Sequence, residues 1–205
     1  IDLTVKEFAD ETSRESPAPG GGTISAYMGA LGAALGTMVA NLSSHKAGWD
    51  ARWEEFSNWA NKGQAIQSEL MVLVDEDTEA FNRIMSAFGL PKESAEEKTA
   101  RSMAIQEATL FATEVPLHTM QASYKVFELC RAMAEEGNPN SVSDAGVGVL
   151  AARAAVLGAG LNVKINASGL KDKQKAEQLV SEANILINKA NEAEKEIMKI
   201  VETKL

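Results

Sequence analysis

The sequence is short of most residues that build metal or disulfide sites. Its 205 residues include one cysteine, Cys130, and two histidines, His45 and His118. A lone thiol closes no internal disulfide, so a disulfide-stapled secreted domain is excluded and a reducing, cytoplasmic compartment is expected. There is no CxxC or HExxH spacing, so no metal site is predicted. No charged stretch followed by an apolar one opens the chain, so no leader peptide is expected. Basic residues are outnumbered, 20 against 29, for a formal net charge of −9. A duplex-binding face needs the opposite balance, which argues against nucleic acid as a partner.

What is present reads as helix. Thr4-Val-Lys-Glu7 is a capping box for a short first helix, ended by Ser16-Pro-Ala-Pro-Gly-Gly-Gly22. The second helix is expected from about Thr23 to Ser44. It carries a bulky stripe (Ile24, Met28, Leu31, Leu35, Met38, Leu42) and a small one (Ser25, Gly29, Gly32, Gly36), both in steps of three and four. Glycine inside a helix costs about 1 kcal/mol relative to alanine, so these need a packing or ligand reason. Burial on both faces is the expectation. Ser16 to Ser44 holds no charge and is long enough to cross a bilayer. Its richness in Gly, Ala, Ser and Thr favours a central buried helix, and no membrane span is expected.

Asp50 is positioned to cap a long third helix that Gly89 and Pro91 stop. Ser94-Ala-Glu-Glu97 opens a fourth, which Pro116 should kink or split. Ser141-Val-Ser-Asp144 is a capping signature for a second Ala/Gly-rich helix, the natural partner of the first. Asp172 caps a C-terminal helix whose apolar face runs from Ala176 to Ile200. The expectation is one all-α domain over residues 1–205. It would be a bundle of long antiparallel helices with two buried Ala/Gly-rich ones.

Two glycine motifs resemble nucleotide loops but lack their context. Gly20-Gly21-Gly22-Thr23 has no Gly-Lys-Ser/Thr ending, and neither it nor Gly146-Val-Gly-Val-Leu-Ala151 follows a strand. A glycine loop at a helix start still exposes N–H groups to a polar ligand edge, or simply turns the chain. Cys130 reads as a core residue, His45 as a helix C-cap and His118 as partly exposed or satisfied. Asp77 stands out. It falls in the apolar line Leu70, Val74, Asp77, Phe81, Ile84. A carboxylate there must be paired, with Arg101 or Arg153 as available cations, or its pKa rises by desolvation, as general acid–base chemistry requires. Asp144 has a plain capping role open to it. Asn138, Asn162 and Asn166 lie near the ends of the Ala/Gly helix, suited to lining a polar cleft.

Taken in order, Ser16-Pro-Ala-Pro-Gly-Gly-Gly-Thr23, Gly29-Ala-Leu-Gly-Ala-Ala-Leu35 and Asp77-Thr-Glu-Ala-Phe-Asn82 resemble the cyclodeaminase/cyclohydrolase family. Arg101, Val115-Pro-Leu117, Gly137-Asn138, Ser143-Asp144-Ala145 and Asn162-Val-Lys-Ile-Asn166 continue the match. The family includes the C-terminal domain of formiminotransferase-cyclodeaminase and stand-alone methenyltetrahydrofolate cyclohydrolases. The resemblance implies an all-helical homodimer acting on a tetrahydrofolate derivative, with no permanently bound cofactor. Cyclodeamination of 5-formimino-tetrahydrofolate to 5,10-methenyl-tetrahydrofolate and ammonia, in histidine degradation, is the first expectation. It would need a separate formiminotransferase. Cyclohydrolysis to 10-formyl-tetrahydrofolate is the alternative, and a non-catalytic helical dimer scaffold is the rival from another class. The segment from Ser44 to Arg52 departs from the family pattern.

Asp77 and Asp144 are the expected catalytic pair. Gly20, Gly21, Gly22, Ser25, Arg101, Asn138, Asn162 and Asn166 are expected to bind substrate. The charge is also uneven. Residues 1–150 hold 11 basic and 22 acidic residues, whereas 151–205 hold nine and seven. Lys164, Lys171, Lys173 and Lys175 cluster near the Asn166 loop. Lys171 and Lys173 are therefore expected to hold a polyglutamate tail, against the plain reading of a solvated helix face.

Overall fold

The computed structural model describes residues 3–205. Six α-helices follow one another: α1 Val5–Thr12, α2 Gly21–Ser44, α3 Trp53–Phe88, α4 Ala95–Glu136, α5 Val142–Ala167 and α6 Lys173–Glu202. Single 3-10 turns, Asp50–Arg52 and Pro139–Ser141, precede α3 and α5. No strand occurs among the described residues.

The ends follow local chemistry in most places. Thr4 and Ser94 both form reciprocal capping boxes, with Glu7 and Glu97. Asp172 accepts from the Lys175 N–H at the start of α6. Two expected caps fail. Asp50 lies in the 3-10 turn and α3 starts from Arg52 with no side-chain cap. Ser141 likewise gives α5 no side-chain bond, because Asn138 caps the preceding turn instead.

The core is one contiguous set of side chains from α2 to α6. Helix α2 packs on α3, α4 and α5. It lies antiparallel to α5, with Gly21 beside Asn162 and Gly32 beside Gly148. The backbones nearly touch there. A Cβ on Gly32 would lie 2.8 Å from the Gly148 carbonyl oxygen, and one on Gly148 would lie 2.8 Å from Cys130 Sγ. This close approach is why glycine is needed in mid-helix despite its cost.

Burial on both faces of α2 is corrected. The small stripe faces the core, while Leu31 and Leu42 of the bulky stripe are each 45% exposed. Val147, Leu150, Leu161 and Ile165 of α5 are exposed as well. Both helices are long and apolar enough to cross a membrane, and at least half of each apolar window is buried in the bundle.

Of the two outcomes expected at Pro116, the split is corrected, since α4 runs unbroken for 42 residues. Proline leaves the carbonyl four residues earlier without its helical donor. That carbonyl belongs to Ala112, and Asn166 Nδ2 donates to it at 2.6 Å.

Candidate functional site

The first turn of α2 meets α3 and α5. Thr23 Oγ1 donates to Asp77 Oδ2 at 2.8 Å. The carboxylate presses against Gly22, where a Cβ would sit 2.1 Å from Asp77 Oδ1. Gly22 is therefore needed for space. On the other side, Asn162 Nδ2 lies 3.5 Å from the Cβ position of Gly21 and donates to the Gly158 carbonyl at 3.1 Å. Ser25 Oγ donates to the Gly21 carbonyl at 2.7 Å and fills the space that Gly158 leaves open. A half-buried carboxylate, a hydroxyl and an amide thus surround the α2 N-terminus. A carboxylate held by a hydroxyl can accept and return a proton.

The expected cationic partners of Asp77 are elsewhere. The Arg101 guanidinium donates to the Phe88 carbonyl at 3.1 and 3.3 Å, and Arg153 donates to Asn191. Thr23 was the missed partner, and Thr23 directly following the glycine run was the available signal.

The structure separates the expected pair Asp77 and Asp144. Asn162 lies beside the Asp77 site, and Asp144 is 18 residues earlier on the same helix. At 1.5 Å per residue the two ends stand about 27 Å apart. Within one chain these carboxylates cannot act on one bond. Asn138 shares the far end with Asp144, its N–H donating to Ser43 Oγ at 2.7 Å. Asn166 is committed to the Ala112 carbonyl. Gly20 caps α2 through its backbone only.

Lys171 and Lys173 also part company. Lys171 Nζ donates to Ser102 Oγ at 2.5 Å, in a cleft with Arg101. Lys173 donates to the Leu170 carbonyl and lines a groove of about 530 Å³ between α5 and α6, together with Lys164. Lys175 is ion-paired with Glu114. A second groove, of about 590 Å³, lies between α3 and α4. Neither groove is lined by Asp77, Gly21 or Asn162.

Cys130 is fully buried, and burial pushes its thiol up to about 12, which leaves it inert at neutral pH. His45 caps α2, its Nδ1 3.0 Å from the Asn41 carbonyl oxygen, and His118 is exposed. In the segment that departs from the family pattern, Trp49 stacks on Phe56 with ring centroids 5.6 Å apart.

Residues 4–185 match the family model of formiminotransferase-cyclodeaminase. The chain belongs to this family. A methenyltetrahydrofolate cyclohydrolase from Methylorubrum extorquens is 39% identical over 98% of this chain and 97% of that protein. The formimidoyltransferase-cyclodeaminase of Rattus norvegicus is 32% identical over 88% of this chain, which spans only 34% of that longer protein. Among solved structures, formiminotetrahydrofolate cyclodeaminase from Thermotoga maritima superposes with a TM-score of 0.86 at 26% identity, covering 98% of this chain and 97% of that one. These relatives are enzymes, and the family member described here is an enzyme too. The non-catalytic scaffold reading falls with that.

Proposed function

We propose that this chain is a methenyltetrahydrofolate cyclohydrolase, opening 5,10-methenyl-tetrahydrofolate with water to 10-formyl-tetrahydrofolate. The observation that carries this reading is the 39% identity to a relative of that name along nearly the full length of both proteins. The α2 N-terminus supplies suitable chemistry. The methenyl carbon bridges N5 and N10 as a cationic amidinium. Water adds to that carbon as Asp77 takes its proton, with Thr23 holding one carboxylate oxygen in place. The C–N5 bond then breaks as N5 receives the proton from Asp77, the added hydroxyl loses its remaining proton to solvent to become the formyl oxygen, and the formyl group stays on N10. Asn162 and the glycine loop contact the flat edge of the ligand, which leaves as product and is no resident cofactor.

The second reading is formimidoyltetrahydrofolate cyclodeamination, favoured by the likeness to the Thermotoga protein along 98% of this chain. There N10 attacks the carbon of the protonated formimino group, Asp77 takes the N10 proton and returns it to the departing nitrogen, and the C–N bond to that nitrogen breaks to release ammonia. That reaction would draw on a separate formiminotransferase. One experiment separates the readings: loss of the methenyl chromophore and ammonia release from 5-formimino-tetrahydrofolate, measured side by side on one preparation. The first is expected to dominate. Faster ammonia release establishes the second reading, and neither activity overturns the folate assignment.

The exposed apolar faces of α2 and α5 (Leu31, Met38 and Leu42 with Leu150, Leu161 and Ile165) support a homodimer. Light scattering at micromolar concentration tests it.

A further inference from the structure

The groove of about 590 Å³ between α3 and α4 takes no part in the chemistry at Asp77. Among the described residues its lining comes only from these two helices and from Leu90 of their connection. Glu79, Asn82, Arg83 and Ser86 form the α3 wall. Glu79 follows Asp77 by two residues, which is about 200° of helical turn. Asp77 therefore faces α2, where Thr23 holds it, and the groove opens on the other side of α3. The exposed apolar faces of α2 and α5 lend the groove no residue, so their pairing in a dimer does not use its walls.

The groove combines a flat platform with one unpaired carboxylate. Its floor is apolar, with Ala87, Leu90, Ala108 and Leu110. Beside that floor the Arg83 guanidinium lies over the Phe111 ring, 4.0 Å from the centroid. Glu79 holds it there, accepting from Nε at 3.0 Å, while the Arg83 side chain stays half exposed. A planar cation with one side on an aromatic ring and the other open is a stacking surface for a flat ring. Three carboxylates rim the groove. Glu79 is paired with Arg83 and Glu114 with Lys175. Among the described residues Glu107 has neither a hydrogen bond nor an ion pair. It stands one turn before Phe111, on the same side of α4.

We propose that this groove binds a purine nucleoside of the guanine type. Guanine carries N1–H and an exocyclic amino group side by side, and the two donate to both oxygens of one carboxylate, here that of Glu107. Its ring stacks on Arg83, and the ribose hydroxyls meet the amide of Asn82 and the hydroxyl of Ser86. Adenine turns an acceptor, N1, towards the same carboxylate. The local charge excludes a phosphate, because three carboxylates and a single cation line the groove. A pteridine has a similar donor edge. On the reading above, however, the reacting carbon is bonded to the pteridine at N5, which keeps that ring beside Asp77 on the other side of α3. The groove ligand is thus a second molecule, whichever of the two folate reactions the chain performs.

The test titrates the full chain calorimetrically with guanosine, adenosine and guanosine 5′-monophosphate. Guanosine is expected to bind about tenfold more tightly than adenosine. The monophosphate is expected to bind more weakly than guanosine at low ionic strength, with the gap closing as salt is added. E107Q, at an exposed position, is expected to weaken guanosine binding by about tenfold and to leave adenosine binding unchanged. R83Q, which removes the platform, weakens both nucleosides alike. Saturating 5-formyl-tetrahydrofolate is expected to leave the guanosine affinity as it was. No guanosine binding, adenosine binding as tightly as guanosine, an unchanged preference in E107Q, or displacement of guanosine by the folate each overturns the proposal. If guanosine binds as expected while no folate is turned over, the groove stands and the folate reading fails.

Discussion

Asn166 donates its side-chain N–H to the carbonyl of Ala112, the acceptor that Pro116 leaves without a helical donor. The bond spans α5 and α4 and lets a 42-residue helix pass through a buried proline without a break. It also gives Asn166 a structural duty where the residue pattern pointed to ligand binding. An unsatisfied buried carbonyl costs about 1–3 kcal/mol. Asn166→Ala is expected to lose that much stability in urea unfolding. The loss shrinks by more than half in a Pro116→Ala background, which restores the backbone donor. An equal loss in both backgrounds refutes the link.

Asp77 is the group expected to move the proton. Asp77→Asn keeps the shape and the contact with Thr23 but removes the base. A fall in kcat of about 10²- to 10⁴-fold is expected, with the thermal midpoint little changed. Near wild-type turnover with an intact fold removes Asp77 from this role.

Gly22→Ala tests the same site through space alone. The added Cβ would overlap Asp77 Oδ1. A carboxylate at the end of a side chain swings aside more cheaply than a helix shifts. The fold therefore survives, and kcat falls about as far as in Asp77→Asn, roughly 10²-fold or more. Combining the two substitutions adds little further loss in a steady-state assay, because both act on one carboxylate.

Ser123 is wholly buried and its hydroxyl has no hydrogen-bond partner. Ser123→Ala is expected to leave stability unchanged or raise it by about 1 kcal/mol. A loss above about 1 kcal/mol in chemical denaturation shows that the hydroxyl has a partner after all.

Cys130 gives a pH signature. Its folded pKa, about 12, lies above its ordinary value of 9.0. The unfolded chain gives up this proton first, so the contribution is whole below pH 9 and declines as the pH rises towards 12. Within that window it falls by about 1.4 kcal/mol per pH unit. The stability difference between wild type and Cys130→Ala is expected to narrow across it. A difference that stays constant through alkaline pH refutes the assignment.

Helix boundaries were legible because capping is local. Thr4, Ser94 and Asp172 act within three residues of themselves, and the chain reports them directly. Asp50 and Ser141 failed by the same chemistry, because a 3-10 turn took up the positions just before each helix. The value of small residues along α2 was legible too, but which face they served was not. Periodicity shows that two stripes exist, and only the packing of α5 against Gly32 shows that the small stripe turns inward.

The site divides in the same way. The sequence by itself determined an all-helical chain, the isolation of Asp77 in an apolar line, the glycine run before Thr23 and the family resemblance. All of these rest on spacing within a few residues or on the order of short motifs. Only the tertiary structure decided which groups meet. The antiparallel run of α2 and α5 brings Gly21 to Asn162 and carries Asp144 to the far end. Pro116 claims Asn166 through a carbonyl on another helix. Lys92, Lys98 and Arg101 join Lys171 at one cleft although more than 60 residues of chain separate them from it. Side-chain types and periods are properties of the chain, but partners far apart in sequence are chosen by how close the helix backbones come.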